Sequence, residues 1–331
     1  MPNHENAAMH LHRRRFCIAA SVGASLLSHR AWSQGARGWP HKPIHFVTPY
    51  PPAGLSDQIT RFAAERIAKA LGQSIIVDNK PGAGATLGTE YAARAAPDGY
   101  TFLVAPTAAV AIAPWLRQVN FSAQDFIPVA KLACGYGLIT GRKNEAFDDY
   151  RKFVAAAKAA PGKYTFASNG VGTIVHLTGV LLHKQAGIDV LHVPYKGSME
   201  SMMDLLGGRI DIMYDPVTLP RVKSGDLVGL ATSSAERHPE IPDVPTLAEL
   251  GFNLDTRSWF GIFAPKGTPA EIVARMEEEA GKALRAPDVR QQLLMASMYP
   301  DFEGPTAFAT RVRKDSAFFK ALIFREGIKA D

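Results

Sequence analysis

The sequence predicts an α/β protein built of two doubly wound α/β domains, and three observations carry that prediction. Short β-branched and aromatic runs alternate with amphipathic stretches of helical period. The alternation falls into two series, which meet near Ala133–Tyr136 and rejoin near Phe252–Trp259 through extended chain. The corners between strands and helices are rich in glycine, proline and serine. Such alternation implies parallel sheets covered by helices.

Before the first strand comes a leader. Arg13–Phe16 is basic, Phe16–Leu27 is an apolar run of twelve residues, and Ala31–Ser33 offers small residues for cleavage before Gln34. This is the plan of a signal peptide over residues 1–33, and the run is too short to span a bilayer. "RRRFCI" fits a twin-arginine leader as well as an ordinary secretory one. Removing it takes away four arginines and one glutamate, so the formal net charge falls from +6 to +3. That mild excess, without a basic run, argues against nucleic acid as a partner and suits small anions. One cysteine remains, Cys134, so no internal disulfide is expected.

"IHFVTPY" reads as the first strand. Ile59, Phe62, Ala63, Ile67, Ala70 and Leu71 then recur at helical spacing until Gly72, with Ser56 expected as N-cap. "SIIVDN" is a strand, "TEYAARA" a helix and "YTFLVA" the next strand. The second series runs through "YRKFVAAAKAA" (helix), "YTFAS" (strand), "TIVHLTGVLLHKQA" (helix ended by Gly187) and "VLHVPY" (strand). "SMESMMDLLGG" follows as a helix with Met199, Met202, Met203 and Leu206 on one face. "RIDIMYD" and "LVGLATS" complete the strands. In "GTPAEIVARMEEEAGKAL" the pattern places Thr268 as N-cap, with Glu271 closing a capping box. The expected domains are 34–133 with 257–331, discontinuous, and 134–256, with the ligand cleft between them.

Three corners invite function. Pro51–Asp57 joins a strand's carboxyl end to a helix's amino end, where open α/β sheets bind ligands. Gly54 admits a close guest, and the first-turn amides with the helix dipole form an anion seat. Asp57 stabilises that helix start and would accept a hydrogen bond from a ligand rather than meet its charge. "SNGVGT", Ser168–Thr173, repeats the arrangement in the second series, with His176 one turn into its helix. Ser168 lacks the nucleophile-elbow glycines. His176, His183 and His192 are spaced seven and nine apart, which matches no metal-ligand pattern. "PGAGATLG" misses the dinucleotide fingerprint, because Gly88 comes four residues after Gly84 and no acidic residue ends the next strand. "PYKGS" adds Tyr195 as a wall and Lys196, either a carboxylate partner or a solvated side chain.

"PYPPAGLSDQITR", "VDNKPGAGATLGTEYAARAAPDGYTFL", "GTIVHLTGVLL", "HVPYKGSMESMMDLLGGRIDIMYD", "RHPEIPDVPTLAELGF" and "SWFGIFAPKGTP" stand in order across essentially the whole chain after the leader. In this the sequence resembles the Bug/TctC extracytoplasmic solute receptors, the binding proteins of tripartite tricarboxylate transporters. The resemblance implies a periplasmic-binding-protein clamshell of type II-like form, without enzymatic activity, cofactor or metal. Its crevice would capture a small organic acid for membrane permease subunits, and a monomer is expected. The loops matching Pro51–Asp57 and Ser168–Thr173 would grip a carboxylate, with Thr107–Pro114 and Tyr214–Asp215 lining the crevice. The candidate ligand-binding set is Tyr50, Pro52, Ala53, Gly54, Ser56, Asp57, Thr107, Ser168, Asn169, Gly172, Thr173, His176, Tyr195 and Asp215. The chain departs from the family in having Ala53 beside Gly54 where two glycines are usual, and Pro216 where asparagine commonly follows the aspartate. Both departures bear on the choice of ligand. An exported isomerase or hydrolase, with Asp57, Asp215 and His176 as acid–base candidates, and a receptor feeding a sensor kinase are the alternative readings.

Overall fold

The computed structural model describes residues 38–144, 146–168, 170–195, 197–252 and 258–329. The expected leader and Glu145, Asn169, Lys196 and residues 253–257 lie outside them. In chain order, the first series is β1 (Ile44–Thr48), α1 (Leu55–Leu71), β2 (Ile75–Asn79), α2 (Thr86–Ala93), β3 (Thr101–Pro106), α3 (Ala113–Leu116) and β4 (Phe126–Gly135). The second is β5 (Leu138–Arg142), α4 (Tyr150–Ala159), β6 (Thr165–Ser168), α5 (Ile174–Ala186), β7 (Leu191–Pro194), α6 (Ser198–Leu206), β8 (Ile212–Tyr214), α7 (Leu219–Lys223) and β9 (Leu227–Thr232). Last come β10 (Trp259–Pro265), α8 (Ala270–Leu284), α9 (Val289–Leu294), β11 (Met298–Glu303) and α10 (Pro305–Glu326).

Two sheets result, ordered β11-β4-β10-β3-β1-β2 and β7-β6-β8-β5-β9. Each has a parallel heart, β2-β1-β3 in one and β7-β6-β8 in the other. Neither sheet is all-parallel. β10 runs antiparallel between β3 and β4, and β5 runs antiparallel between β8 and β9. The physical reason is connectivity: these strands enter through direct crossings between the sheets rather than through a helical crossover, so nothing turns them parallel.

Apolar side chains pack on both faces of the first sheet. Phe46, Phe102 and Ile262 meet Ile59, Ile67, Ile272 and Met276 on one face, while Leu103, Trp259 and Phe263 meet Phe308 and Val312 on the other. The second sheet buries Phe166 and Ile212 against Phe153 and Leu182. α1 follows its sequence pattern, burying Ile59, Ala63 and Ile67 and ending at Gly72 with φ 66°. A smaller cluster ties the two units together, as Leu177 and Leu181 of α5 pack with Ile112 and with Phe319, Leu322 and Ile323 of α10.

Two local expectations change. Thr268 does not cap α8; its hydroxyl donates to the Pro265 carbonyl, and Pro269 takes the N-cap position without a side-chain bond. Nor do the methionines of α6 share a buried face. Ser201, Met202 and Leu205 are buried, while Met199 and Met203 are 58% and 59% exposed.

Candidate functional site

The β1–α1 corner is fixed by Asp57, which the sequence offered both as a stabiliser of the helix start and as a ligand contact. α1 starts at Leu55, so Ser56 lies within its first turn and Gly54, extended, stands at the N-cap. Ala53 takes φ 64°, a left-handed conformation that a residue with a Cβ adopts at a cost. Its N–H donates to Asp57 Oδ2 at 2.9 Å, Arg61 Nε donates to the same oxygen at 2.9 Å, and Asn79 Nδ2 donates to Oδ1 at 2.9 Å. Burial alone would raise this carboxyl, but the bonds from Arg61, Asn79 and Ala53 outweigh it and hold the acid below its ordinary range. Asp57 therefore locks the loop. Asp57→Ala is expected to lower stability by about 2–3 kcal/mol, the scale of losing charge-assisted bonds at a helix start. Urea midpoints measure it. Because the folded carboxyl is depressed, this contribution is present above the unfolded value near 3.8 and is lost as pH falls through the folded one.

The β6–α5 corner is built from a different set of bonds. Thr173 caps α5, accepting from His176 N–H while its own hydroxyl donates to the Gly170 carbonyl at 2.8 Å. Gly172, at φ 77°, donates its N–H to His176 Nδ1 at 3.0 Å, which puts the imidazole proton on Nε2. Ser168 Oγ accepts from Gly170 N–H and lies 2.7 Å from His192 Nε2. The His176 and His192 rings stack 4.0 Å apart, and His183 Nε2 lies 2.7 Å from the Tyr214 hydroxyl. Burial, with a smaller contribution from His192, takes His176 down to about 4 and His183 down to about 3. These histidines are neutral supports behind the corner.

Both corners open on one cavity of about 530 Å³. Tyr50, Gly54 and Ser56 line it from the first sheet's side, and Gly172 and Thr173 from the second's. Burial pushes the Tyr50 phenol up to about 12, so it remains a hydrogen-bond donor. Five of the sequence candidates thus share one wall-to-wall space. Ala108, Ile112 and Ala113 of the expected Thr107–Pro114 stretch line the cavity too, whereas Pro106, Leu116 and Arg117, with Ser258 and Phe260 at the start of β10, went unread. Between β3 and α3 the chain makes a wide π-turn over Ala108–Ile112, a form that collects at functional sites. Pro114, which lacks the N–H that a regular helix would need, is the local sign of that irregular turn. Among the described lining residues Arg117 is the sole formal charge, and no carboxylate lines the cavity.

The other candidates stand outside that lining. Pro52 and Ala53 are exposed on the corner's rim. Thr107 is buried and spends its hydroxyl on Trp259, accepting from its N–H at 3.0 Å, which pins the π-turn to β10. Ser168 and His176 are committed to the loop as described. The Tyr195 hydroxyl donates to Asp204 at 2.8 Å, and burial followed by Asp204 pushes that phenol up to about 12. Asp215 caps the turn at Pro216–Thr218, accepting from Val217 N–H and the Ser198 hydroxyl; burial raises its carboxyl. The acid–base candidates of the enzyme reading are therefore all engaged elsewhere. Asn169 and Lys196 lie outside the described residues.

Known proteins resemble this chain along its length. The model of the tripartite tricarboxylate transporter family receptor matches residues 59–325. A protein encoded in the tcbD–tcbE intergenic region of a Pseudomonas species is 34% identical over 326 residues, covering 96% of each chain. The periplasmic binding protein BugD is 29% identical, with a TM-score of 0.73 over 88% of this chain and 100% of its own. An R. palustris protein solved with adipate is 28% identical, with a TM-score of 0.76 over 88% of this chain and 99% of its own. On these matches the chain belongs to the tripartite tricarboxylate transporter receptor family, the Bug/TctC group, whose members are solute-binding receptors and not enzymes.

Proposed function

We propose that the protein captures a small carboxylate in the space between its two sheets and hands it to the permease of a tripartite tricarboxylate transporter. The observation that carries this reading is the meeting of two helix amino ends, α1 and α5, and Arg117 around a cavity with no described carboxylate. The first-turn amides of each helix lack helical acceptors and carry the positive end of the dipole. A micromolar ligand needs about 8 kcal/mol net. Charge-assisted hydrogen bonds contribute roughly 1.5–3 kcal/mol each, so a few amides, the Tyr50 hydroxyl and Arg117 meet that need after the cost of association. The likeness to a receptor holding adipate supports the ligand class.

In this reading each sheet with its helices is one lobe, 34–133 with 257–331 and 134–256, and the lobes close over the guest. Residues 1–33 direct export to the periplasm, by either secretory route, and the mature receptor acts as a monomer. Calorimetry of the purified protein against organic acids tests the binding. Gly172→Val is expected to weaken the best acid at least tenfold, because a β-branched residue at φ 77° is strained and its Cβ would fall 2.4 Å from Leu116 Cδ1. Saturable binding without consumption of the acid supports a receptor; undiminished affinity in the variant means that the site lies elsewhere. Deleting the gene separates the partners, since loss of uptake points to a permease and loss of induction alone to a sensor kinase.

A further inference from the structure

Behind the main cavity lies a second, smaller chamber of about 80 Å³. Leu55, Ile174, Ser258 and Phe260 line both spaces and border the place where they adjoin. Beyond that junction the chamber runs between the crossings of the two sheets, faced by Leu138, Ile139, Val175 and Met298. Its polar groups are few and neutral: Thr178, Tyr214, Ser233 and Ser258. The Tyr214 hydroxyl is already engaged with His183. Among the described residues no Asp, Glu, Lys, Arg or His lines the chamber, and Arg117 belongs to the outer cavity only.

We propose that the ligand is an amphipathic monocarboxylate, its anion held in the outer cavity and its apolar body lodged in this chamber. The inference rests on the carboxylate reading above and narrows it. An apolar cavity stays dry and takes apolar fragments, and a space of this size holds a few carbons. A second carboxylate carried inward would lose its water without meeting a cation or a set of donors, and an unpaired buried charge is strongly disfavoured. A linear diacid is thus excluded by the inner end of the site, even though its outer end would be welcome. Val175 on α5 and Met298 on β11 set the depth available to the body.

Calorimetry with matched acids tests this. Hexanoate is expected to bind at least tenfold more tightly than adipate, which has the same number of carbons. Along the straight-chain monoacids, affinity should climb about fourfold per methylene until the chamber is full. Val175→Phe, which fills the chamber, should weaken hexanoate at least tenfold and propanoate less than threefold. Met298→Ala, which deepens it, should move the preferred length toward octanoate. Adipate binding as tightly as hexanoate, or Val175→Phe leaving hexanoate untouched, overturns the inference and leaves the receptor reading standing. If neither series binds, the carboxylate reading itself fails.

Discussion

Moving the protein from pH 7 to pH 5 is expected to cost on the order of 4 kcal/mol of folding stability, before most carboxylates begin to protonate. The source is the histidine cluster around Phe166, whose ring centroid lies 4.7 Å from both His183 and His192. Burial holds His176 at about 4 and His183 at about 3, against 6.5 for an exposed imidazole. The unfolded chain therefore takes up protons first. Stability is complete above the unfolded value and is lost as pH falls from there toward the folded values. At pH 5 each of these two rings forgoes about 2 kcal/mol. Among the described residues, the groups facing them are neutral or a backbone amide: Gly172 N–H, the Tyr214 hydroxyl, Phe166 and His192. Urea midpoints at the two pH values measure the effect, and His183→Gln should remove about half of it. An unchanged midpoint would show that the cluster accepts protons while folded. Because His176, which holds Gly172, stays neutral in the folded protein until about 4, ligand affinity should hold over this interval.

Lys131→Ala is expected to destabilise the protein by about 3 kcal/mol, the lower end of what breaking a buried ion pair costs. The side chain is 2% exposed in the middle of β4 and bonds Asp301 Oδ2 at 2.9 Å and the Glu303 carboxylate. It joins β11 to β4 across an irregularity in their ladder between Pro300 and Glu303. Arg311 of α10 approaches Glu303 at 3.7 Å, so the helix is held as well. Without the lysine, two carboxylates face each other at a half-covered edge. Their partial exposure, 29% and 20%, keeps the loss at the lower end. Replacing the group whole, as Lys131→Met with Asp301→Asn and Glu303→Gln, should recover most of the stability. Thermal melts of the single and triple variants decide it; a triple variant no better than the single would place the cost in lost packing.

What was legible in the sequence was what neighbouring residues determine. The period of Ile59, Ala63 and Ile67 and the stops at Gly72 and Gly187 are all local, and the structure keeps them. The two corners were legible for the same reason. Asp57 was legible as a stabiliser of its helix start, but its hold on the loop was not, because its partner Asn79 lies in the next strand and no spacing rule announces that bond. Arg117 was invisible because one arginine after "APWL" carries no pattern; only the π-turn and the arrival of β10 bring it to the cavity. Thr268 has the composition of a cap but finds a nearer carbonyl. Met199 and Met203 fit the helical period of α6, yet no neighbour packs down on them.

The position of β10 has a consequence for how the chain is made. Its strand lies between β3 and β4, so the two halves of the first sheet share no ladder until the ribosome has released Pro265. Every strand of the second sheet is by then already synthesised, ending at Thr232. The sheet that starts first is completed last, and a nascent chain halted before residue 259 leaves one edge of β3 and both edges of β4 open, without the strands that cover them in the finished sheet.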